Sequence, residues 1–540
     1  MFTKRNALLM GMLFLLLFVS ACGGAAATEA PSDKYTVFPE EPAAPSPAAT
    51  EEPAMGDAYY PEAEAPSSAL ESTSQDWSAP PAKRQPTDTF FEDYGVNPFI
   101  DTEDDNLSTF GLDMDTGSYT IARNYLKDGL VVPPDSVRVE EYINYFDQGY
   151  SNPPAHQAFG ISMDGAPSPF TQTERYQMLR IGVQGYQVPD DERKDASLTF
   201  VIDVSGSMDM DNRLGLVKRS LELLVEQLDR NDSVSIVVYG SDARVILDPT
   251  PGSKKDKILS AIYSLRPEGA TNAEAGIRLG YRMALQAYNL NGINRVILCS
   301  DGVANVGNTE ADVILDEIRG HVEEGVTMTT IGFGMDNYND ILMEQLADNG
   351  DGFYAYVDDM REAKRLFIDN LTGTLQTIAM DAKVQVDFNP SVVSRYRLVG
   401  YENRAIADED FRDNSVDAGE IGAGHSVTAL YEVKLYPEAY GNIATVFLRW
   451  QDPDTRQVVE LSKDFRVTEL ERRFERANPY FQRTVIVAEF AEILKESYWA
   501  EDSSFDDVYR EAIRVSDFFG RDEDMSELLD MMRRAGRWFD

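Results

Sequence analysis

A chain of 540 residues has room for three or four domains at about 150 residues each. Hydrophobic residues make up 43% and aromatics 10%, enough for several cores, which excludes a wholly disordered protein. Lys and Arg number 49 against 92 Asp and Glu, a net charge of −43, which excludes a basic nucleic-acid-binding surface. Two cysteines exclude a disulfide-built scaffold or a Cys-rich zinc module, and three histidines leave little room for a His-based metal site. The acidity is spread along the chain: residues 1–22 carry +2, residues 23–88 carry −9, and the remainder carries −36. The folded part is itself anionic.

The first element is an address. Lys4 and Arg5 precede an apolar run from Ala7 to Val19, which has the length of a signal segment and is too short for a membrane span. The run ends in Val19-Ser20-Ala21-Cys22-Gly23. That ending resembles the lipobox of bacterial lipoproteins, in which the cysteine is lipidated and becomes the new N-terminus. The resemblance implies a signal peptide over 1–22, acyl chains on Cys22, and a place in the bacterial cell envelope. Residues 23–88 are rich in Ala, Pro, Glu and Ser without periodicity and read as a disordered stalk.

Residues 89–196 read as helical and then β. Leu112-Asp113-Met114-Asp115-Thr116-Gly117-Ser118 contains D-T-G-S, the aspartic-protease signature, before a helix over Tyr119–Leu126. Such proteases need two carboxylates sharing a proton, and there is no second D-T-G or D-S-G in the chain. The stretch is expected to be a turn. Residues 159–188 alternate like strands.

From Ser197 the pattern changes to strand-helix alternation. Leu198–Ile202 is a continuous apolar run, as in a strand buried on both faces. A helix follows with Leu214, Val217, Leu221, Leu224 and Leu228 on one stripe. Strands at 234–238, 243–247, 296–299, 328–333 and 354–357 alternate with helices near 254–265, 273–288 and 310–323. This predicts a doubly wound α/β fold, a mainly parallel sheet with helices on both faces, over residues 197–375. Ligands of such sheets bind at the carboxyl ends of the strands.

Three chemistry-bearing segments fall at those ends: Asp203-Val204-Ser205-Gly206-Ser207, then Gly269-Ala270-Thr271-Asn272, then Ser300-Asp301-Gly302. The set resembles the von Willebrand factor type A domain and its metal-ion-dependent adhesion site, whose pattern is D-x-S-x-S, then a Thr, then an Asp. By that resemblance Ser205, Ser207 and Thr271 supply hydroxyl oxygens, and Asp203 and Asp301 bind the ion directly or through water. All are hard oxygens, suited to Mg²⁺ or Mn²⁺, or to Ca²⁺, and not to zinc. Gly206 is expected to permit the tight turn that aims both serines the same way. No phosphate-binding glycine loop follows the first strand, which weakens a nucleotide reading.

Residues 376–475 alternate apolar and polar in short runs, the pattern of an antiparallel β-sandwich, and residues 476–540 are helical with Val487, Phe490, Ala491 and Leu494 at core spacing. The strands on the two sides of 197–375 are expected to pair, which would make the α/β domain an insertion. The segments 108–146, 332–359 and 398–433 look like corresponding regions of YfbK-type bacterial lipoproteins. Cys299 is expected to be a buried apolar filler. His156, His321 and His425 lack ligand spacing. The expected function is non-enzymatic: a membrane-anchored module capturing a partner protein's carboxylate on the bound metal. The alternatives are an envelope scaffold with a structural metal and, as a weaker reading, a hydrolase.

Overall fold

In the computed structural model residues 91–171, 176–302, 311–334 and 339–539 are described, without the side chains of 211–212 and 311–313. The signal segment, Cys22 and the 23–88 stalk lie outside them. The central sheet runs Tyr354–Val357, Thr327–Phe333, Ile293–Ser300, Ala196–Asp203, Ser233–Tyr239, Ala243–Pro251. Neighbouring strands are parallel throughout except at the last, which returns antiparallel. Only three residues, 240–242, join that final pair, too few for a parallel crossover.

Strand Ala196–Asp203 is buried at every position. Its alternate side chains serve two cores. Leu198, Phe200 and Ile202 meet Leu214, Leu221 and Ile258, while Val201 joins Ile277, Tyr281 and Ile314 on the other face. Two glycines let helix Ala273–Gln286 lie against the sheet. A Cβ on Gly276 would come 2.6 Å from the Tyr239 ring, and one on Gly280 would come 2.3 Å from Val201. That close seating fixes the loop in front of this helix, which carries Thr271.

Strands from before and after this domain build two shared sheets. Tyr176–Gly185 pairs with Ser426–Leu435, with Ile181 opposite Ala429. Leu107–Gly111 pairs with Thr377–Phe388, and Ile100–Asp101 with Val393–Val399. The sheets pack face to face: Phe388 stacks on Tyr396 at 4.3 Å, and Phe159 meets Trp450 edge-on at 4.9 Å. Regions 89–196 and 376–475, distinct in sequence, are thus halves of one sandwich, out of which the α/β domain is threaded. Among the described residues no helix is long and apolar enough to cross a membrane.

Helix Pro479–Leu494 is buried on nearly every side. It lies between Val139–Asn144 and Phe505–Phe519, while Glu523–Ala535 packs on Gly117–Lys127. The last of these also rests on the α/β domain, because Gly117 leaves room for the Tyr354 ring, which a Cβ would meet at 2.5 Å. Arg123 secures the junction, donating to Asp358 at 3.0 Å, to Glu362 at 3.0 Å and to Glu527 at 2.9 Å. The D-T-G-S stretch is therefore a docking turn: the Asp115 carboxylate accepts the Tyr354 N–H at 3.1 Å.

A buried polar network joins all three parts. Arg404, from the loop after Val393–Val399, reaches Asp348 at 3.0 Å, Glu344 at 3.3 Å, Asp113 at 3.5 Å and Asp115 at 3.9 Å. Arg138 pairs with Glu141 and, at 2.7 Å, with Asp340. Carboxylates outnumber guanidiniums here, and burial raises the pKa of Asp115, Glu140 and Glu141. Burial also lifts Glu344 from 4.5 to about 7 and, in the C-terminal helices, Glu489 to about 7.

The sign of the linkage follows. These acids hold protons in the native state that the unfolded chain releases above about 4.5, so stability falls as pH rises through their window. His425 opposes this only below its ordinary 6.5, since burial lowers it to about 4. We predict that the melting temperature, measured by calorimetry in chelator, falls as pH rises from about 6.5 to about 8. A melting temperature that rises across this range would contradict the assignment.

Candidate functional site

The site stands where three parallel strands end. Asp203 closes strand Ala196–Asp203 and is fully buried. Ser205 is buried, while Ser207 and Thr271 are half-buried, so an approach from solvent meets these two first. Asp301 follows strand Ile293–Ser300 and is buried.

The first loop is held by its own aspartate: the Ser205 N–H donates to Asp203 Oδ1 at 2.7 Å, and Ser300 Oγ donates to Oδ2 at 3.1 Å. The Gly206 N–H donates to the Gly269 carbonyl at 3.2 Å, which brings the second loop against the first. Asn272 caps the following helix by accepting the Ala275 N–H at 3.1 Å, so Thr271 is fixed just ahead of a helix start.

The hydroxyls of Ser205 and Ser207 are hydrogen-bonded to each other, with their oxygens 3.0 Å apart. Two oxygens on adjacent corners of an octahedron around Mg²⁺, each about 2.1 Å from the ion, would be separated by about 3.0 Å. The pair therefore fits a shared hard cation. Charge points the same way. Burial first, and then the Asp301 charge, pushes Asp203 up to about 6, while the hydrogen bonds from Ser205 and Ser300 hold it down. Two buried carboxylates at this spot call for a positive charge.

Arg213 supplies one, and sequence reading missed it. Its Nη1 donates to Asp301 Oδ2 at 2.8 Å, both side chains being buried. Gly334 makes room: it has φ +87°, and a Cβ there would lie 2.2 Å from Arg213 Nε. A lone arginine at the start of a helix carries no spacing signal, so only the fold reveals this pairing. Asp301 thus meets any incoming cation as a carboxylate already ion-paired.

One expectation is corrected. Gly206 does not adopt the left-handed conformation, and a Cβ on it would meet only the Gly269 carbonyl at an ordinary 3.7 Å. The glycine that the site requires is Gly269, with φ +75° and a would-be Cβ 2.4 Å from Ser241 Oγ. The other lone residues do not enter the site. Cys299 is buried in the central strand, where burial raises its thiol pKa. His321 stacks on Tyr281 at 4.3 Å.

Comparison with known proteins agrees with this fold. Residues 197–369 match the family model of the von Willebrand factor type A domain, and residues 85–180 match one described as von Willebrand factor. Residues 373–536 match the model described as Uncharacterized protein YfbK, C-terminal. Residues 197–369 thus carry a von Willebrand factor type A domain, and the flanking regions are similar to those of YfbK-type proteins. It is 39% identical to Escherichia coli YfbK over 350 residues, 64% of this chain and 61% of that protein. It is 28% identical to the Synechocystis protein sll0103 over 189 residues, 35% of this chain and 44% of that one. The chain thus spans less than two thirds of either relative's length. Among solved structures, a von Willebrand factor type A protein from Catenulispora acidiphila superposes with a TM-score of 0.44 at 15% identity, covering 72% of this chain and 91% of the other.

The geometry makes a loop prediction. Gly269→Ala places a side chain in the left-handed region and against Ser241, and is expected to destabilise the chain by about 1–3 kcal/mol in urea unfolding. Gly206→Ala is expected to cost less than about 1 kcal/mol.

Proposed function

We propose that the protein is a lipid-anchored, divalent-metal-dependent capture module of the bacterial envelope, which binds a partner protein through that partner's carboxylate. The observation that carries the reading is the 3.0 Å approach of the Ser205 and Ser207 hydroxyls beside the buried carboxylates of Asp203 and Asp301. In this reading Ser205, Ser207 and Thr271 hold a Mg²⁺ ion, or Mn²⁺ or Ca²⁺ in its place. Asp203 and Asp301 offset its charge directly or through water. Hydroxyls bring no charge, so the ion keeps net attraction for an acidic side chain from outside. Arg213 keeps Asp301 oriented when the ion is absent and limits how negative the site becomes.

The test is a crosslinking pull-down from intact cells carrying the full chain. Capture is expected with Mg²⁺, to be lost in EDTA, and to be lost with Asp203→Ala while circular dichroism still reports a folded chain. Capture that survives both changes would place the contact on the sandwich instead.

The anchor has its own test. Labelled palmitate is expected on the wild-type chain and absent from Cys22→Ser, which would be released from the membrane fraction. Stable anchoring takes more than one acyl chain. Label persisting on Cys22→Ser would remove lipidation of Cys22 from the reading.

A further inference from the structure

A second cluster of acidic groups lies at the opposite end of the type A sheet. The cavity beside it has a volume of about 160 Å³ and is lined by Ile293 and Thr327, the first residues of two parallel strands, together with Arg295, Asp351 and Glu420. Asp351 comes from the turn between helix Asp340–Asp348 and strand Tyr354–Val357, and so belongs to the type A domain. Glu420 lies in the sandwich strand Gly419–Gly422, and Asp417 just precedes it. One carboxylate oxygen from each of the three lies within 4.8 Å of the others.

Glu420 is the telling residue. It is only 8% exposed, and among the described residues its carboxylate has no hydrogen bond or ion pair. Arg295 lines the same cavity and its charge offsets part of the cluster's, but its hydrogen bonds go to neutral groups and to none of the three carboxylates. Arg295 donates to Thr329 Oγ1 at 3.0 Å, to the Thr374 carbonyl at 2.7 Å and to Thr377 Oγ1 at 3.1 Å. Arg456 donates to Met380 and Gln451. Asp381 adds a further negative charge that raises the pKa of Asp351, Asp417 and Glu420, each of which burial raises first. A largely buried carboxylate held close to two others is repelled by them, and a cation in the shared cavity would relieve that repulsion.

We propose that Asp351, Asp417 and Glu420 form a Ca²⁺ site that clamps the type A domain to the β-sandwich, separate from the adhesion-type site. The donors are all oxygen. Oxygens within 4.8 Å of one another can share one hard cation. Loop and strand carboxylates also suit the tolerant geometry of Ca²⁺ better than the strict octahedron of Mg²⁺. The expected affinity is that of extracellular Ca²⁺ modules, a Kd on the order of 10⁻⁴ M.

The test uses the full chain carrying Asp203→Ala, which removes the first site, so that failure of either proposal is seen separately. Calorimetric titration with Ca²⁺ alone is expected to show one site per chain. Adding Glu420→Gln or Asp417→Asn is expected to weaken it at least about tenfold. Thermal melting keeps the test decisive if a variant folds poorly. In EDTA, Glu420→Gln removes a repelling charge and is expected to melt no lower than its Asp203→Ala parent. In Ca²⁺ the parent gains stability, the variant does not, and the order reverses. No Ca²⁺ bound by the Asp203→Ala chain, unchanged affinity in the Glu420→Gln chain, or an equal loss of stability with and without Ca²⁺ would overturn the proposal.

Discussion

Arg404 is the point at which three separate stretches of chain are made to agree. It leaves the sandwich, reaches Glu344 and Asp348 on a helix of the type A domain, and faces Asp113 and Asp115 of the N-terminal turn. None of these carboxylates is comfortable away from water without it. Removing the guanidinium would leave buried like charges facing one another, which costs far more than the pair contributes when intact. The same turn carries Asp115, whose carboxylate holds the edge strand of the type A sheet through Tyr354. The network thus sets register as well as charge, and the mutual placement of sandwich, type A domain and N-terminal helix depends on it.

That constraint acts on the two ends of the type A sheet differently. At the carboxyl end, loops carry Ser205, Ser207, Thr271 and Asp301, and the neutralising charge inside the chain is Arg213. At the amino end the sandwich comes close, and Asp417 and Glu420 meet Asp351 without a guanidinium bonded to them. A chain folded around an insertion has two crossings to stabilise, at 186–196 and 365–377. At the second, Arg295 bonds the Thr374 carbonyl and Thr377. The Asp351 cluster lies on this same side, where rigidity matters to a domain held through its neighbours.

The sequence was informative where a short local pattern determines structure. The apolar run Leu198–Ile202 and the stripe Leu214, Val217, Leu221 and Leu224 are buried because each follows the period of its own element. The three loop motifs were placed at strand ends by that same alternation. What stayed hidden depends on contacts across hundreds of residues. The strands Leu107–Gly111 and Gly419–Gly422 are too short to alternate visibly, and they exist because Thr377–Phe388 offers them a partner. Arg213, Arg404 and Glu420 carry no motif. The significance of each is the company it keeps, which spacing along the chain does not encode. The D-T-G-S turn shows the converse: a motif can be present in full and be explained by Gly117 giving space to Tyr354.

The net charge of −43, first an argument against nucleic acid, bears on the proposed capture of a carboxylate as well. The folded body carries most of it, so an acidic partner is repelled over distances comparable to the Debye length, about 8 Å at physiological ionic strength. Within that distance the metal ion of the proposed site, held by uncharged hydroxyls, would reverse the sign locally. The two ranges together select for a partner that presents one carboxylate from a neutral or basic surface, rather than a uniformly acidic one. Arg213 sharpens the selection, because it tempers the field of Asp301 without competing for the hydroxyl side of the ion. In that proposal specificity would reside in the contrast between an anionic body and a small cationic point, set by the loops of the site and the charge of the whole protein together.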